Sequence, residues 1–448
     1  MAAPPGGYRQ DGAAIRALVR GDAVHRDVYT DPGLFDLEME RLWYSAWVYI
    51  GHDSQVPNAG DFYTVNVARQ PLLMVRGTDG NLRVLFNRCA HKGAKVVSAN
   101  AGNCGKLLRC SYHGWTYTLD GALRTMPVKS GYAGTRFAES EAAHGMTAVL
   151  NVAVHRGFVF ARLSRSGLGF HEYFGDSLSS IDNLADRSPL GRLEVAGAPL
   201  RYLHNSNWKM FVENLNDTMH PMVAHESSAG TARDLWAGRP PDEPKPMVIE
   251  QFLPFVSNYE FFDKMGVKVY DHGHSYTGVN FSIHSSYSPI PEYAEQMQQA
   301  YGAERARAIL GESRHNTVYY PSLTVKGAIQ TIRVVRPIAV DKTLIESFTL
   351  RLAGAPPALL ERSAMYNRLI NAPTSVVGHD DLYCYRAVQE GLASNGNEWV
   401  SLHRNHSDRE QGEAAGTHNG TSEVSMRGQF RAWLAAMTAC GTAGTDPK

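Results

Sequence analysis

Between Asn207 and His225 the chain gathers Glu213, Asn214, Asp217, His220 and His225 among Phe211, Val212, Met219 and Met222. Neutral imidazole nitrogens and one carboxylate oxygen on largely apolar elements make a donor set for a divalent iron that keeps coordination positions open. Taken alone, the D-x-x-H-x(4)-H spacing suits ordinary core or surface histidines equally well, so its weight depends on the rest of the chain.

Two other stretches offer sulfur as well as nitrogen. Asn87–Ala94 reads NRCAHKGA and Leu108–Trp115 reads LRCSYHGW, so each presents one cysteine and one histidine: Cys89 with His91, and Cys110 with His113. Two thiolates and two imidazoles could satisfy tetrahedral zinc. They also match the ligands of a Rieske [2Fe-2S] cluster, in which one iron takes two cysteines and the other two histidines. Three details favour the cluster. The single-residue gap in C-x-H is unusual for zinc knuckles. A glycine follows each histidine closely (Gly93, Gly114), which lets backbone N–H groups approach sulfides. Both loops lie on turns of a β region, with no helix to carry the second pair. Five cysteines (Cys89, Cys104, Cys110, Cys384, Cys440) are too few and odd in number for a disulfide framework, which points the same way.

The elements that must position these residues fall into three segments. Asp31-Pro32 reads as an N-cap with proline in the first turn, and Phe35, Met39, Leu42, Trp43 and Ala46 recur at helical spacing, giving an N-terminal helical arm over 1–46 that packs on the catalytic region. From 47 to 163, short alternating or β-branched runs are separated by turns such as Thr78-Asp79-Gly80-Asn81, which predicts a small all-β domain. From 164 to 448 the character is mixed. Strands are predicted through VIEQFLPFVSNYEFF, VKVYD, YTGVNFSIHSSY, LTVKGAIQTIRVVRPIAV and TLIESFTLRLAG. Helices are predicted near Leu178–Leu184, from Ser288-Pro289 through Tyr293, Met297, Ala300 and Ile309, from Asp380-Asp381 through Leu392, and over Met426–Met437. The segment 403–420, rich in Gly, His, Asn and Ser, reads as a mobile surface loop. The fold class is α+β, an antiparallel sheet covered by helices.

A chain of 448 residues exceeds one ordinary core and is ample to bury cofactors. Lys plus Arg equals Asp plus Glu at 44 each, which removes any global charge argument for nucleic acid or an acidic membrane as partner. The N-terminus lacks a basic region followed by an apolar core, and no apolar run is long enough to span a bilayer, so a cytoplasmic location is expected. The GTDGN and GNCGK segments are turns, not a nucleotide-binding fingerprint, so no nicotinamide or flavin site is expected in this chain.

With both motifs in this order, the chain resembles the α, or oxygenase, subunit of the Rieske-type non-haem iron aromatic-ring-hydroxylating oxygenases, from the entry helix to the closing TSEVSMRGQFRAW segment. The resemblance implies a small all-β Rieske domain over 47–163 and a larger catalytic domain over 164–448 of helix-grip type. It implies that Cys89 and Cys110 hold one cluster iron, that His91 and His113 hold the other, and that the electron leaves through His113. Respiratory Rieske proteins carry an extra cysteine in each loop. Ala94 and Tyr112 stand there instead, so no disulfide locks the cluster and its potential is expected near the low end of the Rieske range, about −150 mV.

The resemblance further implies that His220 and His225 bind a mononuclear Fe(II), that Asn214 lies near its open face, and that Asp217 bridges the ligand histidine to a Rieske histidine. Helical spacing is consistent with this: Asp217 and His220 face the same way, and Pro221 disfavours helical geometry at His220, so a break there would swing His225 toward the metal. The family's carboxylate ligand begins a late helix. Counting back from Gln389 reaches Asp381, with Asp380 as the helix cap and His379 outside the coordination sphere. Implied partners are an NAD(P)H-dependent reductase, acting directly or through a ferredoxin, dioxygen, a small aromatic substrate, and two further copies of the chain in a trimer, as α₃ or with a small β subunit as α₃β₃. In the trimer, His113 of one chain would meet Asp217 of the next. Lys92, Lys95, Lys106 and Arg109 could receive an acidic partner or be solvated surface. Met210, Phe211, Met219, Met222 and Val223 suggest a flat apolar substrate, and Arg333 or Arg336 could neutralise a substrate carboxylate. The leading reading is a ring-hydroxylating dioxygenase. The alternatives are a Rieske monooxygenase that hydroxylates once or demethylates, and a non-catalytic electron carrier or zinc-binding protein.

Overall fold

The computed structural model describes residues 7–140, 143–283, 290–375, 377–407 and 415–439. The chain divides into two compact units, 43–167 and 1–42 together with 168–448. The smaller unit is built from three antiparallel sheets. Leu82–Phe86, Gln70–Arg76, Asp61–Val67 and Ala101–Asn103 form one; Asn151–His155, Phe158–Arg162 and Val48–His52 a second; Leu107–Arg109, Thr116–Thr118 and Leu123–Thr125 the third. Alternation along these strands sends Leu73, Val75, Leu85, Leu108 and Tyr117 into one core, which also encloses Cys89, Cys110 and Trp115.

The larger unit is organised on a nine-stranded antiparallel sheet. Leu193–Val195 and Leu200–His204 both pair with Lys342–Leu352, and the order continues through Thr331–Ala339, Leu323–Lys326, Asn316–Tyr319, Ser275–Thr277 and Val267–Val269 to Gly416–His418 at the edge. The fold is therefore mixed α+β with helices on an antiparallel sheet. The entry helix Pro32–Ser45 starts as the sequence predicts, with the Asp31 carboxylate accepting the Leu34 N–H at 2.8 Å.

Four elements differ from the sequence expectations. The stretch 248–262 is helical, as Met247–Phe252, a short 3₁₀ turn and Tyr259–Met265. Its buried Ile249 and Phe252 recur at helical period, and Asn258 caps the Phe261 N–H, a signal that outweighs the β-branched composition. Pro357–Asn371 is a helix that the hydrophobic pattern does not reveal, because much of its buried face is polar: Ser363, Asn367 and Asn371. The predicted helix through Tyr293 and Ile309 is two, Pro291–Tyr301 and Ala303–Gly311, separated at Gly302 where φ is +78°. Ser288 and Pro289 lie outside the described residues. Within the segment read as a mobile loop, Gly416–His418 is an edge strand paired with Val267–Val269, while 408–414 lie outside the described residues.

Three helices of the larger unit meet at one buried carboxylate. Glu38, on the entry helix, accepts from Trp208 Nε1 at 2.8 Å, from Trp433 Nε1 at 2.6 Å and from the buried Lys209 ammonium. Burial pushes the Lys209 amine down, and Glu38 opposes that shift. Glu38 and Lys209 each need the other, since an unpaired buried charge is far costlier than the pair. Replacing Glu38 with Gln strands the Lys209 charge and is expected to cost about 3–5 kcal/mol of unfolding free energy in urea titrations; a loss below about 1 kcal/mol would contradict this role.

Candidate metal centre

The helix Trp208–Asn214 begins at Asn207, whose side chain accepts the Lys209 N–H at 3.2 Å and donates to Tyr29 O and Val340 O. Gln389, about three turns along the helix Gly378–Leu392, accepts the Asn207 N–H at 2.9 Å, so the helix that leads toward His220 and the helix that carries Asp381 are tied at a shared point. After Asn214 the chain leaves the helix. The turn is pinned by Asn316 donating to Leu215 O, Asn216 to Ser275 Oγ and Thr218 to Gly420 O.

Pro221 sits at the first position of a short helix, Pro221–Ala224, where its missing N–H costs nothing, and His220 is helical at φ −60°, ψ −31°. The expected break at His220 is thus absent. It falls on either side, in the turn before His220 and at His225 itself, where φ is −105° and ψ is 17°. That second departure turns His225 back toward His220, with ring centroids 5.7 Å apart.

Donor atoms of His220, His225 and Asp381 lie within 4.8 Å of one another. Asp381 Oδ1 is 3.5 Å from His220 Nε2 and 3.5 Å from His225 Nε2. Bonds of about 2.0–2.2 Å to a first-row divalent ion would set neighbouring donors roughly 3 Å apart, so this set fits such an ion with little movement. The outward nitrogens face carboxylates. His225 Nδ1 is 3.0 Å from Asp380 Oδ2, while His220 Nδ1 is buried, makes no hydrogen bond and points toward Asp217 Oδ2 at 3.8 Å. Asn214 Nδ2 sits 3.1 Å from His220 Nε2 and 3.4 Å from Asp381 Oδ1, beside the point where the donors converge.

Asp380 does not cap its helix, as the sequence reading had it. The N-cap position is Val377, the Ser375 hydroxyl two residues earlier accepts the Val377 and Gly378 N–H groups, and Asp380 lies inside the first turn, where it meets His225. His379 is exposed. Three neighbours escape sequence reasoning: Phe255, stacked on His225 at 5.4 Å from a segment read as strand; Glu423; and Arg404, whose guanidinium lies 3.7 Å from Asp217 and 3.4 Å from Glu423. Arg404 is distant in sequence and lies in a segment that carries no motif.

In the smaller unit the two loops share one backbone plan. Cys89 N–H donates to Ala94 O and Gly93 N–H to Cys89 O; Cys110 N–H donates to Trp115 O and Gly114 N–H to Cys110 O. Gly93 and Gly114 take positive φ (76° and 70°), and a Cβ would meet Arg88 Nε at 3.2 Å on the first and Pro127 Cγ at 3.3 Å on the second. Cys89 and Cys110 are buried, while His91 is partly exposed and His113 exposed. The imidazole rings are 4.6 Å apart, and His91 is stacked on Trp115. Tyr117 Oη reaches Cys89 Sγ at 3.0 Å and accepts the Ala90 N–H. Sulfur inside and nitrogen outside, on two matching turns, suits a cluster with chemically different irons better than a single zinc ion.

Residues 46–137 match the Rieske [2Fe-2S] domain family, and residues 192–439 match the catalytic domain of the ring hydroxylating alpha subunit. Toluate 1,2-dioxygenase subunit alpha of Pseudomonas putida is 30% identical over 372 residues, 83% of this chain and 79% of that protein. The 2-halobenzoate 1,2-dioxygenase large subunit of Burkholderia cepacia is 30% identical over 409 residues, 88% of this chain and 84% of that protein. In fold, the chain is similar to naphthalene 1,2-dioxygenase with indole bound, at a TM-score of 0.78, 21% identity and 95% of each chain covered.

One group next to this centre titrates far from its usual range. Burial drives Glu213 up to about 8, although the Tyr29 hydroxyl, at 3.0 Å, and Lys209 both pull it down. A raised carboxyl pKa means that the folded chain holds a proton the unfolded chain has released, so its contribution to stability is complete below about 4.5 and is lost as pH rises through about 8. Thermal unfolding of wild type and Glu213→Gln should therefore diverge in favour of the variant between pH 5 and pH 9; parallel profiles would show that Glu213 is ionised throughout.

Proposed function

The chain belongs to the ring-hydroxylating oxygenase α subunits, dioxygenases that join a Rieske [2Fe-2S] domain to a non-haem iron catalytic domain, and from that premise we propose that it is the terminal component that converts an aromatic carboxylate to a cis-dihydrodiol. The observation that carries this reading is the convergence of His220 Nε2, His225 Nε2 and Asp381 Oδ1 with one side left to Asn214. In the proposal these three residues hold Fe(II), Cys89 and Cys110 hold one cluster iron, and His91 and His113 hold the other. When bound, the cluster relays electrons and the iron activates dioxygen. Two electrons and two protons balance the entry of both oxygen atoms into the ring.

The protein's own part is orientation and access. Asp380 fixes which His225 nitrogen faces the metal, and Asp217, held by Arg404 and by the Met219 N–H, stands ready to do the same for His220. Phe255 and Phe211 keep the surroundings apolar for a flat ring. The carboxylate is favoured because two relatives are named for toluate and 2-halobenzoate. Electrons come from an NAD(P)H-dependent reductase, directly or through a ferredoxin. The working assembly is a trimer of this chain, alone or with a small β subunit, in which His113 of one copy serves Asp217 of the next. A cytoplasmic location follows from the need for NAD(P)H and accords with the finding that no described helix is long and apolar enough to cross a membrane.

Labelled dioxygen distinguishes this from a monooxygenase. Turnover of benzoate with a supplied reductase should yield a cis-diol carrying two labelled oxygens, and a phenol carrying one would overturn the assignment. Asp380→Asn should weaken iron binding about 10–100-fold while the cluster spectrum stays intact. Asp217→Ala should abolish turnover with both metals retained; unchanged activity would remove Asp217 from the relay.

A further inference from the structure

Resting on the reading that the substrate is an aromatic acid, we propose that Lys326 and Arg333 together form the site that anchors its carboxylate, on the sheet wall beside Asp381. Arg333 pairs across the ladders with Thr324 and Ser347, and Lys326 pairs with Thr331, which pairs in turn with Thr349. Partners across a ladder and residues two apart on a strand share a face, so all six line one side of the sheet. An interior sheet face is ordinarily aliphatic. This one is hydroxyl-rich and carries two basic side chains.

Neither basic group has a carboxylate within ion-pair distance among the described residues. Lys326 donates to the Tyr366 hydroxyl, at 2.8 Å, and Arg333 to the Asn316 side-chain oxygen, at 3.1 Å, with the Tyr202 hydroxyl as a second neutral partner. Arg333 also lies over the Phe211 ring at 5.4 Å. Both groups feel one neighbourhood. Burial pushes the Lys326 amine well down, Arg333 pushes it further, and Asp381 partly opposes them; Tyr202 and Tyr385 likewise sense both Arg333 and Asp381. His204, which is stacked on Tyr385, is driven down to about 3 by burial and then by Arg333, so it is neutral and adds no charge.

Lys326 is buried and Arg333 partly buried, and an incoming carboxylate would stabilise the charged form of the lysine while pairing with the arginine. One buried group here lacks a partner: the Thr324 hydroxyl, directly across from Arg333 and two residues from Lys326, makes no hydrogen bond. The helix Pro357–Asn371 closes this face with Asn367, Asn371 and Tyr366. These bond to Ser347, to Tyr202 and to Lys326, supplying amides and hydroxyls but no acid. Arg336, the other arginine the sequence raised, pairs with Glu346 at 3.3 Å and so already has its counter-charge.

Calorimetric titration of the holoenzyme with benzoate and with benzamide tests the anchor, since the two rings differ chiefly in charge. Wild type should bind benzoate at least tenfold more tightly than benzamide. Lys326→Met and Arg333→Gln should each weaken benzoate about tenfold or more and leave benzamide unchanged, while Lys326→Arg keeps the preference. Equal binding of the two ligands by wild type, or an equal loss of both in folded variants with an intact cluster spectrum, would overturn the proposal. Should Lys326→Met fail to fold, Arg333→Gln carries the same comparison. The reaction itself is read separately: a benzoate preference without oxygenation of any arene would sink the dioxygenase reading and leave the anchor standing, and oxygenation without a carboxylate preference would do the reverse.

Discussion

The larger unit depends on a carboxylate that water never reaches. Glu38 holds Lys209, Trp208 and Trp433 at once, and so fixes the entry helix, the helix that leads into the His220 turn and the closing helix as one body. Because the interaction is ionic and buried, it tolerates little displacement of any partner. Asn207 and Gln389 add a second tie at the start of the same helix. The chain beyond Asn214 is then free to abandon helical geometry without losing its position, which is what three ligands from two elements require.

Around the candidate metal ligands, each histidine is backed differently. Asp380 already touches His225, whereas Asp217 stops short of His220 and shares its charge with Arg404. A tight backing suits a ligand that only holds metal. A looser one, shared with an arginine and reached from a half-buried position, suits a residue that must also answer to a second group. The smaller unit shows a comparable division, with cysteines inside and His113 at the surface.

Much of this was legible in the chain itself. Motif spacing pointed to His220 with His225 and to the two cysteine–histidine pairs, which sit on short local turns where sequence distance and spatial distance agree, whereas Asp381 came only from the family resemblance. Asp31-Pro32 announced the entry helix for the same reason. What escaped was information carried by polar contacts between distant segments. Pro357–Asn371 buries Ser363, Asn367 and Asn371, so hydrophobic periodicity passes over it, yet its Tyr366 receives the Lys326 ammonium. The stretch 248–262 was misread because β-branched composition was weighed above the Asn258 cap. An aspartate at a helix start has a ready local explanation as a cap, and only the fold reveals that the Ser375 hydroxyl takes the first N–H groups while Asp380 faces His225. Glu38 offered no signal, because its three partners lie 170 or more residues away.

The central claim is that two separate ligand sets, one of sulfur and nitrogen and one of nitrogen and oxygen, hold iron in this chain. Anomalous scattering at the iron absorption edge from crystals of the holoenzyme tests it most directly. The account predicts a paired peak between Cys89, His91, Cys110 and His113, and a single peak bonded to His220 Nε2, His225 Nε2 and the Asp381 carboxylate. A zinc signal at the cysteine loops, or no iron bound among His220, His225 and Asp381, would contradict it.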